Sequence, residues 1–443
     1  MSMLRTHSKL IMQRLIIKNF GPIKDLDMEI KDFMVFIGPQ ASGKSTIAKA
    51  VYFFKSLKEN VLEFFMEVIE NQLVDINPFW DFLDNINEKL FKYWRVNSNY
   101  KENFLKFYYS DNIFISLEKN KLTHSEKFIK EFHLIYELIK KHIYKQRNRT
   151  PLAETQAEKV GFETKKKLFI NKTGQRVNQL FNDEKEVVFI PAVRTFATIL
   201  SPHIGKSNFL DNADYLMTEF MQEINSIKSS FNKSLEQLAE EKFLLTKEKN
   251  NEITELAQKL IRNILRGDYT YDNTNGERLR INENEYLPLN CVSSGQQESL
   301  WILLLIYLKI LYKKNIFLVI EEPEAHLFPE AQKNIMELVA LLFNTTDSQV
   351  MITTHSPYIL SSVNNLLYAG KLGKTKNGKV NTLINSKLWI DVDRTDAMYV
   401  HRPGTPPESI MDREQAMIKA ERIDSASDII NAEFDKLMDI EFE

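Results

Sequence analysis

The residues Gly38-Pro-Gln-Ala-Ser-Gly-Lys-Ser45 carry a spacing that suits a polyphosphate, a full Walker A motif. Glycines at its first and sixth positions let backbone N–H groups approach an anion closely. A helix expected from Thr46 onward turns its positive end to the same place. Lys44 is spaced to reach the β- and γ-phosphates and Ser45 to ligate Mg²⁺. The candidate nucleotide-binding set is therefore Gly38, Pro39, Gln40, Ala41, Ser42, Gly43, Lys44, Ser45 and Thr46. A second cluster, Ile316-Phe-Leu-Val-Ile-Glu321-Glu322-Pro-Glu324, ends an apolar run in paired carboxylates, as a Walker B motif does. In such a pair the first, Glu321, holds the metal and the second, Glu322, orients or deprotonates the attacking water. Glu321 is one methylene longer than the Asp usual at that position.

Two further pieces gain meaning from these. Taken alone, Val292-Ser293-Ser294-Gly295-Gln296-Gln297-Glu298 is an ordinary helix start, and Thr353-Thr354-His355-Ser356-Pro357 is a histidine after a strand. In this order the four motifs resemble those of ABC ATPases. Their wording is similar to the OLD/RecF/SMC-like branch, which includes ATPase subunits of bacterial anti-phage systems of PARIS or Septu type. The resemblance implies that Ser293, Ser294, Gly295 and Gln296 contact ATP held by another subunit, and that His355 senses the γ-phosphate. It puts Ala325-His326-Leu327 at a dimer interface. Ile190-Pro-Ala-Val-Arg194 resembles a further element of the branch, which implies Arg194 near the nucleotide. Lys44, Glu322 and His355 are then the catalytic candidates, Ser45 and Glu321 the metal ligands, and ATP and Mg²⁺ the cofactors.

The resemblance covers about residues 13–50 and 186–370 and supplies no convincing Q-loop glutamine. OLD nucleases carry a C-terminal Toprim domain, but Asp391-Val-Asp393 matches its acidic pair in spelling only. No His/Cys ligand cluster is spelled by the 8 His and single Cys. The expectation is an ATPase without its own nuclease, paired through ATP-sandwiched heads and working with a separate effector, plausibly a nuclease. Its trigger would be a nucleic acid or a phage protein. A RecF/SMC-like role in DNA repair or chromosome handling is the alternative. A transporter's energising subunit is disfavoured by the 250 residues between Lys44 and Ser294, and a catalytically dead binding module by intact Lys44, Ser45 and Glu322.

These side chains need strands to hold them. Arg14–Phe20 and Leu26–Ile30 read as strands around the Gly21-Pro22 turn, and Phe33–Ile37 as a strand buried on both faces. Apolar runs at 186–190, 316–320 and 349–353 read the same way, with helices at 301–312 and 331–343. Strand–helix alternation predicts an α/β fold: an ABC-type P-loop NTPase head, a mixed sheet with flanking helices, carrying a helical insertion. The head is expected at 1–50 and 183–407, the insertion at 51–182 and an acidic helical tail at 408–443. Residues 1–11 are expected to be an unstructured extension, 148–161 a loop around Pro151, 213–265 helical, 269–289 short strands, and the stretch from 357 to about 401 strands and turns.

Sixteen of the 49 aromatics fall within 51–110, enough for the insertion to build its own core. Across 443 residues the net charge is only −2, but residues 119–176 hold 15 Lys/Arg against 6 Glu, and 391–443 hold 14 Asp/Glu against 6 Lys/Arg. These are solvated faces, or a partner surface and an acidic docking segment. One cysteine suits a reducing, cytoplasmic compartment. The longest apolar run, 301–308, is far short of a membrane span.

Overall fold

A computed structural model describes residues 12–94, 103–119, 121–148, 156–200, 214–246, 251–272, 274–282, 284–419 and 425–442. The expected extension at 1–11 and the turn at Pro151 lie outside them. In chain order the elements begin with β1 (Arg14–Phe20), β2 (Ile23–Glu29), β3 (Phe33–Ile37), α1 (Lys44–Glu70) and α2 (Pro78–Trp94). Then come β4 (Phe104–Ser110), β5 (Ile113–Glu118), β6 (Lys121–His124), α3 (Glu126–Arg147) and α4 (Gln156–Phe181). Strand β7 (Glu186–Ile190) leads to α5 (Arg194–Leu200), α6 (Tyr215–Lys228), α7 (Leu235–Thr246) and α8 (Asn251–Leu265). Strands β8 (Asp268–Asp272), β9 (Gly276–Arg280) and β10 (Tyr286–Pro288) precede α9 (Ser294–Leu311), β11 (Ile316–Glu321) and α10 (Pro329–Thr345). Next are β12 (Gln349–Thr354), α11 (Pro357–Asn381), β13 (Thr395–Tyr399), β14 (Glu408–Ser409), β15 (Met411–Asp412), β16 (Met417–Ile418) and α12 (Ser425–Phe442).

The chain forms two compact units. One takes the residues up to Ile30, Thr46–Val187 and Pro403–Pro406; the other takes Lys31–Ser45, Val188–Arg402 and Pro407 onward. In the second, a six-stranded sheet has the order β14-β13-β3-β12-β11-β7. Strands β13, β3, β12 and β11 run parallel, and β14 is antiparallel to β13. All residues of β3 and β11 are buried, which explains why both read as unbroken apolar runs. Helix α9 is buried nearly all round, with Trp301 and Tyr307 fully enclosed, so its sequence is apolar on every face. Strands β8–β10 form a separate antiparallel sheet.

In the first unit a sheet of order β2-β1-β4-β5-β6 accompanies helices α1 to α4. The insertion reads as helical in sequence, yet three strands occupy 104–124. Strand β4 alternates with period two and pairs with β1 from Arg14↔Tyr108 to Lys18↔Phe104. Its aromatics do build a core: Phe132 lies 4.8 Å from Phe65, 5.3 Å from Phe79 and 5.4 Å from Phe82, centroid to centroid. Lys55 pairs with Asp183 at 2.5 Å inside the same unit.

Three other expectations are corrected. Helix α4 already begins at Gln156, inside the expected loop. Residues 357–381 form α11, not strands and turns. Two of its glycines serve close packing: a Cβ on Gly370 would lie 2.3 Å from the Ile390 carbonyl oxygen, and on Gly373 2.1 Å from the Trp389 ring. Finally, 408–418 are short strands, and Ile418, exchanging hydrogen bonds with the Asn364 side chain, belongs to the core. Helix returns only at α12.

Candidate nucleotide site

Register brings the motifs together. Ile37 stands beside Thr354 on one side and Tyr399 on the other, while Glu321 faces Thr353. The segments leaving β3, β11, β12 and β13 therefore emerge at one edge, the carboxyl end of a parallel sheet, where open α/β folds take ligands. At Gly38 a Cβ would fall 2.1 Å from the Val400 carbonyl oxygen, so no side chain fits. Ala41 (φ 59°) and Gly43 (φ 108°) adopt left-handed backbone, alternating with ordinary residues in the way that turns N–H groups into a concave nest. The Ser42 hydroxyl is buried without a hydrogen-bond partner, as a group awaiting a ligand oxygen would be. Pro39, Gln40 and Ala41 form the outer curve of the loop, and Ser45 is exposed.

Lys44 opens α1 and donates to the Gly38 and Pro39 carbonyls, both at 2.8 Å. Its Nζ lies 3.5 Å from His355 Nδ1. Burial pushes its pKa down to about 8 against the opposing pull of Glu322 and Glu324. On the other side of the ring, His355 Nε2 lies 3.3 Å from Glu322 Oε1. A neutral imidazole carrying its proton on Nε2 satisfies both contacts. The His355 hydrogen bond holds the Glu322 carboxyl below its usual range, and Lys44 and Arg194 add to the effect. Glu322 itself sits in left-handed backbone (φ 45°), its N–H donating to the Thr353 carbonyl at 2.8 Å. Strain of this kind persists where surrounding structure enforces it.

Two carboxylates quoted in the motifs but given no role hold the site in shape. Glu324 Oε1 accepts from Thr354 Oγ1 at 2.6 Å and from the His355 N–H at 2.7 Å. Glu298 accepts from the N–H groups of Arg194 and Thr195 at 3.1 and 3.0 Å. Their signal was spacing to motif residues, yet only the fold names their partners.

Arg194 differs from its expected place beside the nucleotide. It is fully buried and donates to the carbonyls of Glu298, Pro191, Glu321 and Glu322 at 2.7–2.9 Å. It thus fixes the end of β11 from behind. A planar guanidinium supplies that fan of donors.

Ser293 caps α9 through a capping box with Gln296, whose amide also donates to the Leu265 carbonyl at 2.6 Å. Ser293, Ser294, Gly295 and Gln296 line an open cavity of about 300 Å³ with His326, Phe328 and Arg266. Gly295 is required there, because a Cβ would sit 2.7 Å from the His326 carbonyl oxygen. That cavity is lined by none of Lys44, Glu322 and His355. The structure brings the latter three together and keeps the Ser-Ser-Gly set at its own cavity.

A phosphate loop after a buried strand, with an acidic strand end two strands away, defines an α/β P-loop nucleotide-binding fold. The chain belongs to the AAA ATPase domain family, whose sequence model matches residues 11–360. Solved structures it is similar to include an Smc head bound to the C-winged helix domain of ScpA, 12% identical over 90% of this chain and 97% of that one, TM-score 0.40. The SMC head domain from Thermotoga maritima is 11% identical over 91% and 100%, TM-score 0.37. A Pyrococcus furiosus Smc head with an extended coiled coil, bound to the C-terminal domain of ScpA, is 12% identical over 95% and 99%, TM-score 0.36. At such scores these likenesses carry no further argument. No curated protein matches the chain. Among the described residues no helix is long and apolar enough to cross a membrane.

Proposed function

We propose that this ATPase-family chain binds ATP with Mg²⁺ at the phosphate loop, hydrolyses it, and uses the cycle as a switch. The observation that carries this reading is the run Lys44–His355–Glu322, with contacts of 3.5 and 3.3 Å. It links a phosphate-binding cation to a carboxylate kept ionised, through a ring able to register whether the cation is engaged. The nest from Gly38 to Thr46 holds the phosphates, and Lys44 exchanges its carbonyl contacts for phosphate oxygens. Glu322 orients and deprotonates the attacking water. Ser45 and Glu321 offer hard oxygen ligands suited to Mg²⁺, which when bound supplies charge neutralisation at the phosphate oxygens. Ser293–Gln296 complete the site of a second copy, so ATP joins two heads.

At the cellular level the motif resemblance supports a sensor subunit of an anti-phage system that controls a separate effector nuclease upon a nucleic-acid or phage-protein trigger. A RecF/SMC-like ATPase acting in DNA repair would share the head chemistry. One variant tests both levels. Glu322→Gln is expected to lower phosphate release by about 10²–10⁴-fold while nucleotide stays bound. The same variant, expressed with its neighbouring genes, should lose protection in a plaque assay. Unchanged turnover overturns the catalytic assignment; turnover that collapses with no effect on plaquing, for a wild type that does not protect either, overturns the defence reading alone.

A further inference from the structure

Helix α12 leaves three large apolar side chains bare. Phe434, Leu437 and Ile440, three residues apart, are 60%, 64% and 66% exposed. An isolated helix of 18 residues without packing is marginal in water, so a helix of this composition gains its stability elsewhere. Its sequence holds five acids against one lysine.

The other compact unit offers the opposite character. Helices α3 and α4 together carry twelve Lys/Arg against five Glu. The His142 and Phe169 rings stack at 3.7 Å between them. Within four residues of those rings along each helix stand Lys141, Lys145, Lys165, Lys167 and Lys172, all exposed. Among the described residues, none of these lysines is paired with a carboxylate. Between them Tyr144 and Leu168 are 42% and 62% exposed.

We propose that α12 of one copy docks on the α3–α4 face of a second copy. Charge and apolar exposure match together: the acids meet the lysines while Phe434, Leu437 and Ile440 cover Leu168 and Tyr144. The acidic helix and the basic face belong to the same chain, so a second copy supplies the complementary surface. A nucleic acid would satisfy the lysines, but it would leave the apolar residues on both sides in water. The contact uses no residue of the nucleotide site, so it stands or falls separately from the function proposed above.

The test uses the chain truncated after residue 424 and a fluorescent peptide of residues 425–443, followed by anisotropy. The peptide should bind at 50 mM salt and weaken by about tenfold or more at 500 mM, as the screening length shrinks. Lys165→Glu/Lys167→Glu/Lys172→Glu protein should not bind it. A Leu437→Asp peptide should also fail; pure charge attraction would make it bind more tightly, and that result overturns the docking. By light scattering the full chain should be larger than the truncated one at low salt. An unchanged mass despite peptide binding places α12 on its own chain and overturns the second copy. A labelled single-stranded oligonucleotide that binds this face when the peptide does not makes the surface a nucleic-acid site, and also overturns the proposal.

Discussion

Lys44 carries the strongest pH signature of the cleft. Its burial lowers the pKa to about 8, with Glu322 and Glu324 opposing that shift. Because polyanion binding needs the ammonium form, the free site must take up a proton above that pH before it can bind. Nucleotide affinity should therefore hold steady below pH 8 and fall by up to about tenfold per unit above it. A guanidinium does not titrate there, so Lys44→Arg should show no such slope, whatever its absolute affinity. Titrations of nucleotide binding at pH 7, 8 and 9 read the difference, and parallel slopes would refute the assignment. Glu322 moves the other way: the His355 hydrogen bond keeps it ionised at neutral pH, the state in which it can take a proton.

At the scale of elements, the start of α9 is held from several sides. The Ser293–Gln296 box, the Gln296 bond to Leu265 and the Glu298 bonds to α5 all converge on its first turns. Gly295 permits this by letting the His326 backbone approach to 2.7 Å from where a Cβ would be. Backbone cannot swing aside as a flexible side chain can. Gly295→Ala should therefore cost about 1–3 kcal/mol in chemical denaturation. Gly378 in α11 has nothing within 4 Å of the place its Cβ would take, so Gly378→Ala serves as the control and should be neutral or stabilising. Equal effects at the two sites would mean that the 325–327 loop yields freely.

At the scale of the molecule, the proposed reading has a second copy complete the site, since the cavity bearing Ser294 and Gly295 is lined by none of Lys44, Glu322 and His355. Lys44→Ala and Ser294→Arg chains should each be inactive alone. Mixed, they should regain activity in proportion to heterodimers, since such a dimer keeps one site with intact Lys44 facing intact Ser294. If tagged heterodimers can be isolated and are as inactive as either parent, hydrolysis does not require a shared site.

Contiguous residues decide part of this protein unaided. The phosphate loop needs only consecutive backbone turns and a following helix, and β3 and β11 announce themselves because burial on both faces demands unbroken apolar runs. Partners far away in the chain are settled only when it folds. The family resemblance implies Arg194 near the nucleotide, and in the fold its donors meet carbonyls more than 100 residues on, at Glu298, Glu321 and Glu322. Strand β4 reads as part of a helical insertion until β1 supplies its edge. Gly370 and Gly373 act as contact residues, because what meets their missing side chains, Ile390 and Trp389, comes from outside the helix. Local motifs set the chemistry; long-range hydrogen bonds and close backbone approach, which no short window of residues encodes, set where each group points.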